Sequence, residues 1–328
     1  MRSCFKNSFL FWALLFFATN ILADTQLTLE SDQVKVGNYV VSIHDLNFGV
    51  NTFGADFWIW ADYSNPRLQP LKTMEFVNAK SISSSLLSSQ LRESVTWSQQ
   101  KIQGTFRHSW DMTNFPFDRH VLSIVMEESI DDISNLRYLM DTKNSGYLND
   151  IIVDGFLITN MEIKNDQRNY NTNFGDPNAP PKTIYSRLII NLEIQRISKI
   201  LFIKLHTALY SAFLVTAFCF PLLAQIPKIP QIVGSVLSAI VGSLFASIIN
   251  LRTADSVIGG SESLTLVDRL HFITFLYFII LAIITITILI NRERWNSKKI
   301  SNVTRWAGKI YIVSYVAANL FLVWLAAF

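Results

Sequence analysis

The sequence predicts a β-sandwich followed by a four-helix transmembrane bundle, and two observations carry that reading. Up to Arg196 the 328-residue chain alternates short β-branched and aromatic runs with turn-forming clusters, the pattern of a sandwich. Beyond Arg196 come four apolar stretches, 201–224, 230–251, 270–290 and 306–328, each near the ~20 residues with which a helix crosses a bilayer.

At the N-terminus, Arg2 and Lys6, an apolar run over 9–22 and the small Ala23 form the basic, apolar and cleavable parts of a secretory signal. Residues 1–23 are therefore expected to be removed; a fifth membrane helix would need a longer run. Residues 24–198 form the exported sandwich, with strands at 34–43, 55–63, 95–110, 120–126, 151–163 and 184–196. Turns fall at Ser64-Asn65-Pro66 and Asp176-Pro177-Asn178. Segment 165–182, rich in Asn, Asp and Pro, reads as a hairpin tip or loop, whereas 81–92, rich in Ser and Leu, fits strand or irregular structure equally. The two cysteines, Cys4 and Cys219, fall in the signal and the first span, so packing alone must hold the exported domain. Residues 199–328 form the membrane domain.

Between 24 and 195 stand 21 acidic residues against 14 Lys and Arg, a balance that argues against a nucleic-acid partner. Arg292, Arg294, Lys298, Lys299 and Arg305 crowd the connection between the third and fourth spans, and Lys228 lies between the first and second. By the positive-inside rule both connections face the cytoplasm, and export by the signal gives the same topology, with the N-terminal domain and the C-terminus outside. No Gly-rich phosphate loop, metal-spaced His cluster or nucleophile motif is present, so an enzyme is disfavoured and no cofactor or metal is assigned.

Gly49-Val50-Asn51-Thr52 precedes Phe57-Trp58-Ile59-Trp60. Met74-Glu75-Phe76-Val77-Asn78, Gly104-Thr105-Phe106 and Phe115-Pro116-Phe117-Asp118 follow, then Arg196 and the four spans. In this order the chain resembles the prokaryotic, ELIC-like branch of the pentameric ligand-gated ion channels, the Cys-loop receptor superfamily without its loop-closing cysteines. The resemblance covers nearly the whole mature chain. It implies a homopentameric receptor channel of the bacterial inner membrane, with its N-terminal domain and C-terminus periplasmic. Its partners would be four further copies of itself, permeant inorganic ions, the lipid bilayer, and an amine agonist or protons.

Pro116 makes a stiff corner between Phe115 and Phe117, two rings able to lie at a bilayer interface, with Asp118 at the base of the sandwich. The same four residues also read as an ordinary turn with two core rings and a capping carboxylate. In the family, the aspartate of this motif pairs with a basic residue just before the first span and couples the two domains. Arg196 and Lys199 compete for that role. Arg196 is preferred because a guanidinium can grip a carboxylate with two hydrogen bonds, although either cation also suits lipid headgroups.

In the second span Gln231, Ser235, Ser238, Gly242, Phe245 and Ile249 recur at spacings of four and three, so they share one narrow helical face. Five copies around an axis would line a water-filled pore narrowed by Phe245 and Ile249. Small residues at this spacing equally suit helix packing in lipid, a role that Gly234, Ala239, Ser243, Ala246 and Ser247, off the stripe, fit better. Ser238 stands where many relatives carry a large apolar residue, which leaves a mid-pore gate open to question. Lys228 at the inner mouth would favour anions, the acidic exported domain cations. With the bacterial members as guide, cation selectivity is preferred.

Positions matching the family's intersubunit agonist loops are Glu75, Asn78, Glu127, Tyr170 and Phe174 on one subunit and Trp60 or Tyr63 on the next. Aromatic faces beside a carboxylate suit an ammonium group. Trp60 also fits sandwich core, and Glu127 a solvated strand end. His44, His108 and His120 are the groups to titrate if protons are the stimulus. His206 and His271, near helix ends, are expected to snorkel to the interface, and Glu127-Glu128 with Asp131-Asp132 to form a solvated patch. The competing class is a membrane-tethered periplasmic sensor that conducts nothing, whose second span would be no more hydrated than the others.

Overall fold

Among the described residues ten strands form two sheets whose inner faces follow the period-2 alternation of the sequence. The computed structural model describes residues 31–177, 180–226, 229, 231–259 and 263–328; the signal segment 1–23 and Lys228 lie outside the described residues. The strands are β1 (Asp32–Asn47), β2 (Thr52–Tyr63), β3 (Met74–Phe76), β4 (Ala79–Arg92), β5 (Val95–Arg107), β6 (Arg119–Glu128), β7 (Leu136–Met140), β8 (Gly146–Tyr147), β9 (Phe156–Tyr170) and β10 (Thr183–Arg196). One sheet runs β4-β5-β2-β1-β7 with β8 beside β1, and the other β3-β6-β10-β9.

Phe53, Phe57, Ile59 and Tyr63 of β2 point into the core, opposed by Leu122, Ile124 and Met126 of β6 and by Leu188, Ile190, Leu192 and Ile194 of β10. Burying each such side chain stabilises the fold by about 1.5–3 kcal/mol. Phe53, Phe57, Phe76 and Phe106 form a ring cluster with centroids 5.5–6.2 Å apart. On the outer face the indole of Trp60 lies flat over Gly37, where any Cβ would collide with it.

Segment 81–92 is a strand, β4, paired with β5 and exposed along nearly its whole length. With both faces open it carries no buried side for its sequence to alternate against. Segment 165–182 begins as strand, because β9 continues to Tyr170, and β10 resumes at Thr183. That hairpin end projects past the core, so its strands are polar on both faces and read as loop.

Four apolar helices long enough to cross a membrane follow, α1 (Ser198–Leu223), α2 (Ile232–Ile258), α3 (Leu266–Asn291) and α4 (Ser297–Ala327), and they make the chain a transmembrane protein. Each helix runs past its apolar stretch at one end or both through polar residues, among them Lys199, Arg252, Asp268 and Lys298. α2 continues to Ile258 and stops where Gly259 turns left-handed at φ 68°. α3 opens with a capping box between Thr265 and Asp268, and α4 with the Asn296 side chain accepting from Lys299 N at 2.8 Å. α1 loosens at Phe218, three residues before Pro221, whose missing N–H breaks the ladder. Inside the bundle Tyr315 stacks on Phe213 at 3.5 Å and bonds Thr274 at 2.8 Å, while Tyr311 bonds Thr216 at 3.1 Å, so buried hydroxyls are satisfied between helices.

Candidate functional site at the junction of sandwich and helices

Strand parity alone makes Arg196 unusual. Leu188, Ile190, Leu192 and Ile194 occupy the inward positions of β10, and Arg196 is the next in that series. On the neighbouring β6, Met126, Ile124, Leu122 and His120 run inward toward Asp118, and Ile194 pairs with His120. Both charges therefore fall on the core side at the same end of the sheet, where an unpaired ion would be costly.

The two pair directly. Arg196 Nε donates to Asp118 Oδ1 at 2.7 Å and its terminal nitrogen to Oδ2 at 2.9 Å, with Arg196 8% and Asp118 2% exposed. His120 Nε2 lies 2.7 Å from Oδ2 and carries the hydrogen, since an ionised carboxylate only accepts. Burial pushes the Asp118 carboxyl up, but the hydrogen bonds from His120 and Arg196 outweigh it and hold the carboxyl below its ordinary range. The guanidinium is caged by three rings, Phe156 at 4.2 Å, Phe115 at 5.0 Å and Phe48 at 5.1 Å. Lys199, the competitor, is exposed and forms no ion pair among the described residues.

This cage joins three routes into the bundle. Arg196 leads within two residues into α1. The 113–118 loop sets the Phe117 ring 5.5 Å from Phe202 of α1 and offers the Thr113 carbonyl to Arg269 of α3. Phe48 adjoins Gly49, whose backbone packs on Gly259 at the end of α2. The Phe115-Pro116 peptide is cis, and its two rings part company, since Phe115 is fully buried in the sandwich while only Phe117 faces the helices. The expectation of two interfacial rings is corrected accordingly.

Behind the pair lie His108 and Trp110. Burial, then the neighbouring His120, lowers His108 to about 4, and its Nε2 has no hydrogen-bond partner. In the sequence His120 reads only as a titrating group, and Phe48 and Phe156 do not stand out. The parity of residues 118 to 126 was the available signal for His120, whereas nothing local marks the two rings.

Of the residues expected to meet an agonist, Glu75, Glu127 and Tyr170 fall on the outer face of the β3-β6-β10-β9 sheet. Glu75, Glu127, Arg187 and Asp166 are successive cross-strand partners. Glu127 is 3% exposed, accepts from the Tyr170 hydroxyl at 2.7 Å and from Arg187, and so is no solvated strand end. Tyr170, Phe174 and Tyr185 form an edge-to-face trio with centroids 5.3–6.1 Å apart, Phe174 being 62% exposed. Asn78 drops out as a ligand group. Its amide donates to the Ser123 carbonyl at 2.7 Å and accepts from Val125 N at 3.0 Å, standing in for a missing strand neighbour. Trp60 and Tyr63, an odd number of positions apart, point to opposite faces. Tyr63 is buried in the core, and Trp60 lies outward, its indole N–H donating to Asp141 at 3.2 Å. Arg187 and Tyr185 were not singled out from sequence, although outward parity with Glu193 and Asn191 was there to read.

On α2, Gln231, Ser235, Ser238, Gly242, Phe245 and Ile249 are all exposed, while Val233, Val236, Ile240, Ser243 and Ser247 pack inward. Of the small off-stripe residues Ser243 and Ser247 are buried and Ala239 packs half-buried against the bundle core, while Gly234 and Ala246 are exposed. His206 and His271 do not snorkel. Both are fully buried between helices, with Nδ1 donating to the carbonyls of Phe202 at 2.8 Å and Val267 at 2.7 Å. In the acidic stretch Glu128 is likewise buried, accepting from Tyr138 at 2.6 Å and Thr73 at 2.8 Å, so the patch is not solvated throughout. No model of a known protein family matches the chain, and none of the curated proteins compared with it does.

Proposed function

We propose that the chain is a subunit of a homopentameric, ligand-gated ion channel of the bacterial inner membrane, with the sandwich and C-terminus periplasmic and α2 lining the pore. The observation that carries the proposal is the α2 stripe. Four of its six positions, Gln231, Ser235, Ser238 and Gly242, are polar or small, yet all six face away from the chain's own bundle. Lipid rewards such a face poorly, since uncovered hydroxyls and amides lose their water partners. An axis shared by five copies supplies that water, with Phe245 and Ile249 as the constriction nearer the sandwich. Stimulus binding at the outer sheet face would reach α2 through the Arg196 cage, whose chain neighbours Phe117, Thr113 and Gly49 touch the starts of α1 and α3 and the end of α2.

The outer-face aromatics suit an ammonium ligand by cation–π attraction. Arg187 already neutralises Glu127, so Glu75 and Asp166, both exposed and without an ion pair among the described residues, are the carboxylates of this row open to an amine. Cation selectivity is the preferred direction.

The test is current across planar bilayers in asymmetric salt while amines and pH are screened, the reversal potential giving the sign of the carrier. In a Cys219→Ser background, Ser235→Cys and Ser238→Cys should react with a water-soluble thiol reagent faster under stimulus. Binding without current, and no reaction at either cysteine in any stimulated state, would instead establish the non-conducting sensor.

A further inference from the structure

Where the β9–β10 hairpin runs past the core, its inner face changes character. Met161 and Ile163 of β9 pack against the core, whereas Asn165 and Gln167, the next two positions of the same series, are exposed amides. Their cross-strand partners on β10 are Leu188 and the buried Ser186. The edge of the other sheet closes on this polar end. Tyr138 N of β7 donates to Ser186 Oγ at 2.9 Å, and Ile133 N to the Ile184 carbonyl at 2.8 Å. Between the two edges lies a recess of about 320 Å³, with Ile133, Arg137 and Leu139 on one side and Asn165, Gln167 and Ser186 on the other. That volume stands at the lower end of the ~300–1,000 Å³ of small-molecule sites.

The donors of the recess are largely unspent. Arg137 gives Nε to the Ile133 carbonyl at 3.3 Å, and among the described residues its two terminal nitrogens have no partner and it forms no ion pair. Nor do the side-chain amides of Asn165 and Gln167 make a hydrogen bond among the described residues. Ser186, 3% exposed, accepts from Tyr138 and keeps its own hydrogen to donate. Asp166, the carboxylate at the rim, is the cross-strand partner of Arg187, so strand parity puts its side chain on the outer face of the hairpin.

We propose that this recess is a binding site for a small monocarboxylate. The two terminal nitrogens of Arg137 hold the carboxylate, Ser186, Asn165 and Gln167 supply further donors, and a short apolar chain lies on Ile133 and Leu139. A guanidinium fork matches a planar carboxylate, and a single cation matches a single negative charge. The ligand ties β7 to the hairpin on the face opposite the outer aromatics, so the site is separate from the position proposed for an amine and requires no conduction.

The experiment uses the full chain in detergent with sodium butyrate as probe. Binding is followed by saturation-transfer NMR of the butyrate methyl protons and by hydrogen exchange of the hairpin. Butyrate should bind saturably, at least tenfold more tightly than butyramide, which has the same shape without the charge, and should slow exchange over 165–170 and 183–187. Arg137→Gln should weaken butyrate about tenfold or more, and Gln167→Phe, which fills the recess, should abolish binding. Arg168→Gln, on the same hairpin but outside the recess, should leave it intact. Neither inorganic phosphate nor butylamine, each at the butyrate concentration, should displace the probe. No saturable binding, equal binding of butyramide, unchanged binding in Arg137→Gln or Gln167→Phe, an equal loss in Arg168→Gln, or displacement by phosphate or butylamine would overturn the site.

Discussion

The buried pair makes the most exacting prediction. Asp118→Asn keeps the shape of the side chain and removes its charge, which leaves the Arg196 cation among Phe48, Phe115 and Phe156 with a neutral amide for company. Arg196→Gln leaves the carboxylate with His120 as its remaining side-chain donor. Breaking a buried pair from one side costs about 3–5 kcal/mol, because the surviving charge is stranded. At about 2–4 °C per kcal/mol for chains of ~150–250 residues, each single variant should lose about 10 °C in the thermal midpoint of the full chain in detergent. The double variant strands no charge and can bond amide to amide, so its loss should fall below the sum of the singles by about 2 kcal/mol or more. Reversing the charges, Asp118→Arg with Arg196→Asp, should not rescue. An arginine at 118 would meet His120, and an aspartate at 196 would face ring quadrupoles that attract cations. Additive single losses, or singles within ~1 kcal/mol of wild type as for an exposed pair, would refute the reasoning.

His108 is lowered to about 4 by burial, so between pH 6.5 and 4 the unfolded chain binds more protons and stability falls as pH drops, by up to about 3 kcal/mol. His108→Phe should flatten that limb of the midpoint-versus-pH curve, whereas Asp118→Asn should act on the limb below the ordinary carboxylate range. Gly259→Ala should cost about 1–3 kcal/mol through its left-handed backbone and a Cβ 3.2 Å from Gly49 N, while Gly49→Ala, whose Cβ meets nothing nearer than 3.4 Å, should cost little in the same melt. Arg187→Ala strands the buried Glu127 and should lower the midpoint by several degrees, with Glu127→Gln in the same chain restoring part of it.

The order of β-sandwich and four apolar helices was legible because both rest on periodicity and run length, which are local. What escaped was set by neighbours in space. β4 and the far end of the β9–β10 hairpin carry no buried face in the single chain, so their residues show no alternation. Asn78 looked like a ligand group because an amide's type does not disclose that its hydrogen bonds are spent on Ser123 and Val125. Glu127 looked solvated because Arg187 lies 60 residues away along the chain. His206 and His271 looked interfacial from their distance to helix ends, whereas the side of the helix they occupy decides their burial. Arg196 and Asp118 could be read together from sequence, since each ends an inward-facing series on adjacent strands.

That shared parity bears on what the pair is for. Apolar residues of similar volume at positions 118 and 196 would extend the core and could hold the sandwich at least as well, because a buried ion pair gains little net stability over good packing. A pair gives direction instead. Two charge-assisted bonds fix the guanidinium in one plane, three rings fix that plane against the β1–β2 turn, the 113–118 loop and β9, and the same residue stands two positions before α1. The 113–118 loop and the β1–β2 turn in turn touch α1 and α3, and the end of α2. A displacement of β10 along its axis therefore cannot relax inside the sandwich without breaking the pair, and its lowest-cost outlet is motion of the helix ends. In the proposed channel, that constraint is what would carry a movement of β10 from the outer sheet face to α2.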